Sequence, residues 1–202
     1  GRADIAHRFA TQTDYPSWGY MARNGATTIW ELWNGNTADP AMNSQNHVML
    51  LGDLLSWFYE DLAGIRTREG EAGFKELVMN PTLIAGLDSV QASHVSPYGP
   101  ILSAWRVADK QFSWDITVPV NVTATVHIPA GRPEDVTENG RPISQTRDHR
   151  IVGMQDGKLV IQIASGRYHF SATGFAVVEP PLNVATPRID LPRLSAARPI
   201  PN

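Results

Sequence analysis

At Gly73 the hydrophobic pattern of this chain changes period, and that change excludes a fold built from one element type. Upstream, apolar residues recur three and four apart, the spacing of one helix face; Asp4-Ile5-Ala6-His7-Arg8-Phe9-Ala10 is such a run. Downstream, Val122-Thr123-Ala124-Thr125-Val126-His127-Ile128 alternates residue by residue, the mark of a sheet with one wet face. The chain therefore reads as α+β in two parts. Helices are expected over residues 1–70, an antiparallel β-sandwich over 71–173, and a Pro-rich extended tail over 174–202.

Within the helical part, Asp14-Tyr15-Pro16 is a break, because proline bars its predecessor from the α region and suits the first position of a new helix. That helix is expected from Ser17 to Arg23, stopped by Asn24-Gly25. A loop or short helix bearing Glu31 follows, and then turns at Asn34-Gly35-Asn36 and Asp39-Pro40. A longer helix is expected over residues 45–65. Val48, Leu51, Leu55, Phe58, Tyr59 and Leu62 form its apolar stripe, Ser44 or Asn43 caps its start and Gly64 stops its end. His47 then falls in the first turn, where the positive end of the dipole favours neutral imidazole.

The second part reads as strands at 74–79, 89–95, 101–107, 111–118, 122–128, 159–164 and 168–172. Asn139-Gly140 and Asp156-Gly157 supply hairpin turns, since both pairs tolerate positive φ. Trp105 and Trp114 lie inside strands and read as core. His94, His127, His149 and His169 lack the spacing of zinc ligands, so no metal and no cofactor are expected.

The chemistry concentrates in Gly25-Ala26-Thr27-Thr28-Ile29-Trp30-Glu31-Leu32-Trp33, which sets one carboxylate between two indoles. Indole faces stack on sugar rings, and a carboxylate desolvated among them is suited to acid or base work on a glycosidic bond. A packed core with one Glu at its rim is the other reading of these nine residues. Trp18, Trp30 and Trp33 divide in the same way between a sugar subsite and core packing.

Context decides between them. Tyr15-Pro16-Ser17-Trp18-Gly19-Tyr20, the Gly25–Trp33 stretch, Met42-Asn43-Ser44-Gln45-Asn46-His47 and Leu62-Ala63-Gly64-Ile65 resemble, in order and spacing, the end of the catalytic domain of bacterial α-L-rhamnosidases, glycoside hydrolase family 78. The similarity runs on through the β-rich half to about residue 172. The resemblance implies the closing helices of an (α/α)6 barrel followed by a small β-sandwich. It also implies release of terminal α-L-rhamnose from glycosides with inversion, Glu31 as general base and His47 as a pocket histidine that contacts the sugar. Trp18, Trp30 and Trp33 are the accompanying candidates for the sugar subsite. The general acid and its supporting carboxylates lie upstream in the family, outside this chain. Asp39 is a minor local candidate; Asp14 belongs to the Tyr15-Pro16 turn, and Asp53 and Glu60 to a solvated helix face.

Residues 1–70 are too few for six helical hairpins, so the rest of the barrel is expected from the same polypeptide or a second chain, and this chain alone is expected to be inert. Gly1-Arg2-Ala3-Asp4 reads as the middle of a helix. A net charge of −3 gives no electrostatic case for nucleic acid or an anionic membrane, and no apolar run approaches the ~20 residues of a membrane-spanning helix. Having no cysteines, the chain can form no disulfide or thiolate centre. Two other functions are compatible with the residues. One is a helical-barrel hydrolase for another deoxy-sugar; the other is a noncatalytic carbohydrate-binding or scaffolding module on the sandwich, which would leave Glu31 dispensable.

Overall fold

The computed structural model describes residues 2–179, apart from the side chains of Val48, Leu50 and Leu51. Three α-helices precede eleven strands: α1 (Ala3–Thr11), α2 (Trp18–Arg23) and α3 (Val48–Trp57), the last running into a single π-helical turn, Phe58–Leu62. Ser17 starts α2 as a buried cap. Its hydroxyl accepts from the Tyr20 N–H at 2.8 Å and donates to the Gln12 carbonyl at 2.6 Å, which joins the second helix to the end of the first. Pro16 therefore precedes the cap and is not the first helical residue, as its ring alone would suggest. Gly19 completes this junction: a Cβ there would lie 2.2 Å from the Gln12 carbonyl oxygen, so only glycine lets the helices approach this closely.

The strands are β1 (Ile65–Thr67), β2 (Glu76–Met79), β3 (Ser89–Ser96), β4 (Gly99–Ala108), β5 (Gln111–Val118), β6 (Thr123–Pro129), β7 (Val136–Glu138), β8 (Arg141–Pro142), β9 (His149–Gln155), β10 (Lys158–Ile163) and β11 (Gly166–Ala172). They form a five-stranded sheet in the order β1-β2-β6-β10-β9 and a six-stranded sheet in the order β3-β4-β5-β11-β7-β8. All seven strands expected from sequence are present, and β1, β7, β8 and β9 are additional. The pairing is antiparallel except for β2 against β6, which is parallel, so the expectation of a wholly antiparallel sandwich is corrected at that one place. The reason is the connection. β2 feeds the β3–β5 meander of the other sheet before the chain returns as β6, so the two strands are not hairpin partners.

Inward residues of both sheets interlock in one core, with Trp105, Phe112, Trp114, Ile128, Ile161 and Phe170 at 2% exposure or less. The two tryptophans read as core are there. Asn139-Gly140 and Asp156-Gly157 turn with positive φ at both residues, the geometry of a tight hairpin. Asp109-Lys110, between β4 and β5, does the same without a glycine. Of the residues expected as a tail, 180–202 lie outside the described residues. Before them, Val178 bonds to both sides of Ile84, accepting from the Ala85 N–H at 3.0 Å and donating to the Leu83 carbonyl at 2.8 Å.

The helical segment is tied to the sandwich through buried polar groups. The carbonyls at the end of a helix have no partner within it. Here Leu62 O accepts from the Trp105 indole N–H at 2.7 Å and Ala63 O accepts from the Ser103 hydroxyl at 2.6 Å. The Ser103 oxygen in turn accepts from the Trp114 indole N–H at 2.9 Å. Gly64, at φ +73, then turns the chain into β1.

Lys158 reaches under the same joint, donating to Asn80 Oδ1 at 2.5 Å and to the Pro81 carbonyl at 2.7 Å. Burial, reinforced by the nearby Arg66 charge and opposed by Asp156, pushes its ammonium down from 10.5 to about 8. Between those two values the folded chain binds fewer protons here than the unfolded chain, so stability rises with pH across that window. Below it, the folded state carries the full cost of the buried charge. Urea unfolding followed from neutral pH into that range is expected to show this rise, and Lys158→Met is expected to remove it.

Candidate active site

The candidate site is built where two stretches without helix or sheet run side by side. The His47 N–H donates to the Ile29 carbonyl at 2.8 Å, and two residues further on the Glu31 N–H donates to the Ser44 carbonyl at 2.8 Å. Ser44 answers with its own N–H, which donates to Glu31 Oε2 at 2.9 Å. Leu32 N–H donates to Asn43 Oδ1 at 3.1 Å, and the Thr28 hydroxyl donates to the Gln45 carbonyl. Residues 28–32 and 43–47 are thereby zipped antiparallel, which fixes the carboxylate of Glu31 and brings Glu31 and His47 onto neighbouring segments.

This zipper changes the start of α3. His47 occupies the N-cap position with φ −95 and ψ 89 and its side chain makes no capping bond, so it precedes the first turn in which the sequence reading placed it. The physical reason is that its N–H is already committed to Ile29, which holds its backbone out of the helical region. Asn43 and Ser44, expected to cap the helix, hold Glu31 and Leu32 instead. The apolar stripe expected to run unbroken from residue 45 to 65 is a helix only from Val48 to Trp57, with the π turn after it.

The indoles do not enclose Glu31 among the described residues. Glu31 is exposed, while Trp30 is 5% exposed and packs under Gly35, where a Cβ would lie 2.7 Å from its ring. Trp30 thus points inward while Glu31, its neighbour in sequence, and Leu32 are exposed where the chain bends. Trp33 packs edge-on against Trp18, with ring centroids 5.3 Å apart, and tilted against Phe9 at 6.3 Å. These rings bind α1, α2 and the Glu31 segment to one another.

A cleft of about 340 Å³ opens beside the zipper, lined by Trp18, Met21, Ala26, Ile29, Asn46 and His47 among others. Glu31, Trp30 and Trp33 do not line it; Ile29, two residues before Glu31, does. Two cleft residues carry buried polar atoms without a hydrogen-bond partner among the described residues: Nε1 of Trp18 and Nδ1 of His47. Native proteins rarely leave such atoms unpaired, so both mark places where a further polar group belongs. Asp39 is exposed and accepts from the Ala41 N–H at 2.9 Å, a turn contact. Among the described residues no second carboxylate joins the zipper, and no group of three His, Cys, Asp or Glu side chains could hold a metal ion. The roles of Ser44 and Asn43 have no local signature, because a polar pair just before a helix reads as its cap.

Comparison with known proteins gives this arrangement its relatives. The family model for the bacterial alpha-L-rhamnosidase 6 hairpin glycosidase domain matches residues 1–62, and that for the bacterial alpha-L-rhamnosidase C-terminal domain matches residues 64–141. An alpha-L-rhamnosidase of Streptomyces avermitilis is 34% identical over 176 residues, which is 85% of this chain and 16% of that protein. One from Formosa agariphila is 30% identical over 177 residues, covering 85% of this chain and 19% of its own length. The crystal structure of the Streptomyces avermitilis enzyme complexed with L-rhamnose superposes with a TM-score of 0.76 at 32% identity, over 86% of this chain and 16% of that one. The α-L-rhamnosidase of Dictyoglomus thermophilum superposes with a TM-score of 0.72 at 31% identity, over 86% of this chain and 19% of the other. The chain thus spans less than a fifth of the length of these relatives. With residues 1–62 in the glycosidase domain and 64–141 in the C-terminal domain, it belongs to the bacterial α-L-rhamnosidase family of glycoside hydrolases.

Proposed function

We propose that this chain forms part of an inverting glycoside hydrolase that releases terminal α-L-rhamnose, with Glu31 as the general base. The observation that carries this reading is the zipper: five hydrogen bonds place Glu31 and His47 on two paired segments, beside a cleft that His47 lines. The relatives' names supply the sugar. Residues 1–62 would serve as the closing helices of an (α/α)6 barrel whose other helices come from chain outside this sequence, and the sandwich would brace them through Trp105 and Ser103.

Each residue then has a task. Glu31 takes a proton from the water that attacks the anomeric carbon, and the Ser44 N–H on Oε2 keeps that carboxylate aimed. A general acid roughly 6.5–9.5 Å away protonates the leaving oxygen; it is supplied by the absent barrel segment. His47 and Trp18 would contact the sugar from the cleft, while Trp30 and Trp33 would hold the Glu31 segment from beneath and from the α1 side. The solvent exposure of Glu31 follows from the same incompleteness, since the carboxylate is not enclosed until the remaining helices surround it.

The test is the configuration of the first sugar released. Proton NMR of an aryl α-L-rhamnoside treated with the polypeptide carrying the whole barrel is expected to show the β-anomer appearing first, with mutarotation later. The α-anomer appearing first would overturn inversion, and no hydrolysis would overturn the substrate class.

A further inference from the structure

The turn that follows Glu31 is stapled by one side chain. Leu32 to Gly35 closes on itself, the Gly35 N–H donating to the Leu32 carbonyl at 3.0 Å. Asn43, half-buried, spans that turn: its Oδ1 accepts from the Leu32 N–H at 3.1 Å and its Nδ2 donates to the Gly35 carbonyl at 3.4 Å. Gln45 Nε2 donates to the same carbonyl at 3.3 Å, and Gly35 itself is buried over the Trp30 ring. A side-chain amide offers a donor and an acceptor on separate atoms, so it can hold an N–H and a carbonyl at once. Fixing Asn43 also fixes the peptide that follows it, whose N–H belongs to Ser44 and donates to Glu31 Oε2 at 2.9 Å. One side chain thus restrains both the backbone immediately after Glu31 and the donor on its carboxylate.

We propose that Asn43 is a positioning residue for the general base: its amide, by bridging Leu32 and Gly35, holds the Glu31 carboxylate where it meets the attacking water. The proposal rests on the reading of Glu31 as that base. Asn43 acts through Glu31 and needs to touch neither sugar nor water. Ser44 restrains the carboxylate with its backbone, so Asn43 is the side chain through which the restraint can be removed. A reacting group displaced by about 1 Å can cost about 10²-fold in rate. With the backbone bonds of Glu31 and His47 still in place, the loss from Asn43 alone is smaller than that.

The experiment is a double-mutant cycle on an activated aryl α-L-rhamnoside, in the polypeptide with the whole barrel: wild type, Asn43→Ala, Glu31→Gln and the two combined. Asn43→Ala is expected to lower kcat by about 10-fold with KM nearly unchanged. In the Glu31→Gln background the same substitution is expected to change the residual kcat by less than about 2-fold, because no base is left to misplace. If Asn43→Ala does not fold, Asn43→Ser, whose single oxygen cannot bridge both backbone groups, takes its place in the cycle. With Glu31→Gln impaired, an equal loss in both backgrounds would overturn the positioning role and leave Asn43 as a packing residue. An unchanged kcat in the folded single variant would overturn it as well. Wild-type turnover by Glu31→Gln would instead overturn the reading of the base, and the proposal with it.

Discussion

Glu31→Gln is expected to lower kcat for an aryl α-L-rhamnoside by about 10³-fold in the polypeptide carrying the whole barrel, with KM nearly unchanged. The substitution is isosteric, and its amide oxygen can still accept the Ser44 N–H that holds Oε2 at 2.9 Å. The zipper between residues 28–32 and 43–47 also survives, because its other bonds are made by the backbone and by Thr28 and Asn43. What the variant loses is basicity alone. A melting temperature within about a degree of wild type, alongside the lost turnover, separates this from a folding defect. A variant that retains wild-type kcat would remove Glu31 from the chemistry and leave its exposure as that of an ordinary surface carboxylate.

Gly64→Ala carries the largest expected effect on stability. Gly64 sits at φ +73, where a side chain is strained, and a Cβ there would lie 2.3 Å from the Pro81 nitrogen and 2.4 Å from the Asn80 carbonyl carbon. Both are backbone atoms, so no rotamer change relieves the clash. The neighbourhood is also committed. Asn80 N–H donates to Gly64 O at 2.8 Å, Lys158 clamps Asn80 and Pro81, and the Leu62 and Ala63 carbonyls just before Gly64 are bound by Trp105 and Ser103. Moving any of these to admit a methyl breaks one of these hydrogen bonds. The expected cost is about 3 kcal/mol, or a fall of about 10 °C in melting temperature, read by calorimetry or circular dichroism. Since the joint connects the helices to the sandwich, both parts are expected to lose cooperativity together. A variant that melts like wild type would show that the joint yields more readily than these distances imply.

The two-part organisation was legible because it rests on period alone: the alternation in Val122–Ile128 and the three-and-four spacing of Asp4–Ala10 are local and unmistakable. Hairpins marked by Asn-Gly and Asp-Gly were legible for the same reason, whereas Asp109-Lys110 makes a like turn without glycine and left no mark. β9 was hidden by Gly153, at φ +141 in the stretch where its register against β10 slips, which interrupts its alternation. β1, β7 and β8 are two or three residues long, too short to show a period.

At the candidate site, the residues were readable but their arrangement was not. Gly25–Trp33 announced a carboxylate among indoles, yet Trp30 is buried and Glu31 exposed, so adjacency in sequence became separation in space. Asn43, Ser44 and His47 read as the start of a helix because capping chemistry is local. Their long-range bonds to residues 29–32 are made by the Asn43 side-chain amide and by backbone groups of Ser44 and His47, while Ser44 Oγ accepts from the Asn46 N–H. The cleft could not be foreseen. It is bounded by Ala26, folded back on Met21 in the helix cap that Asn24-Gly25 marks, and by His47, drawn to Ile29 in a contact with no trace in spacing.

The most direct test of the account is chemical rescue of Glu31→Ala by azide, in the polypeptide with the whole barrel and an activated aryl α-L-rhamnoside. Azide needs no general base and fits the space the carboxylate leaves. The account predicts that turnover returns in proportion to azide and that the product is β-L-rhamnosyl azide, formed on the face opposite the leaving group. No rescue in a folded variant, or an azide product of α-configuration, would contradict the placing of Glu31 behind the attacking water.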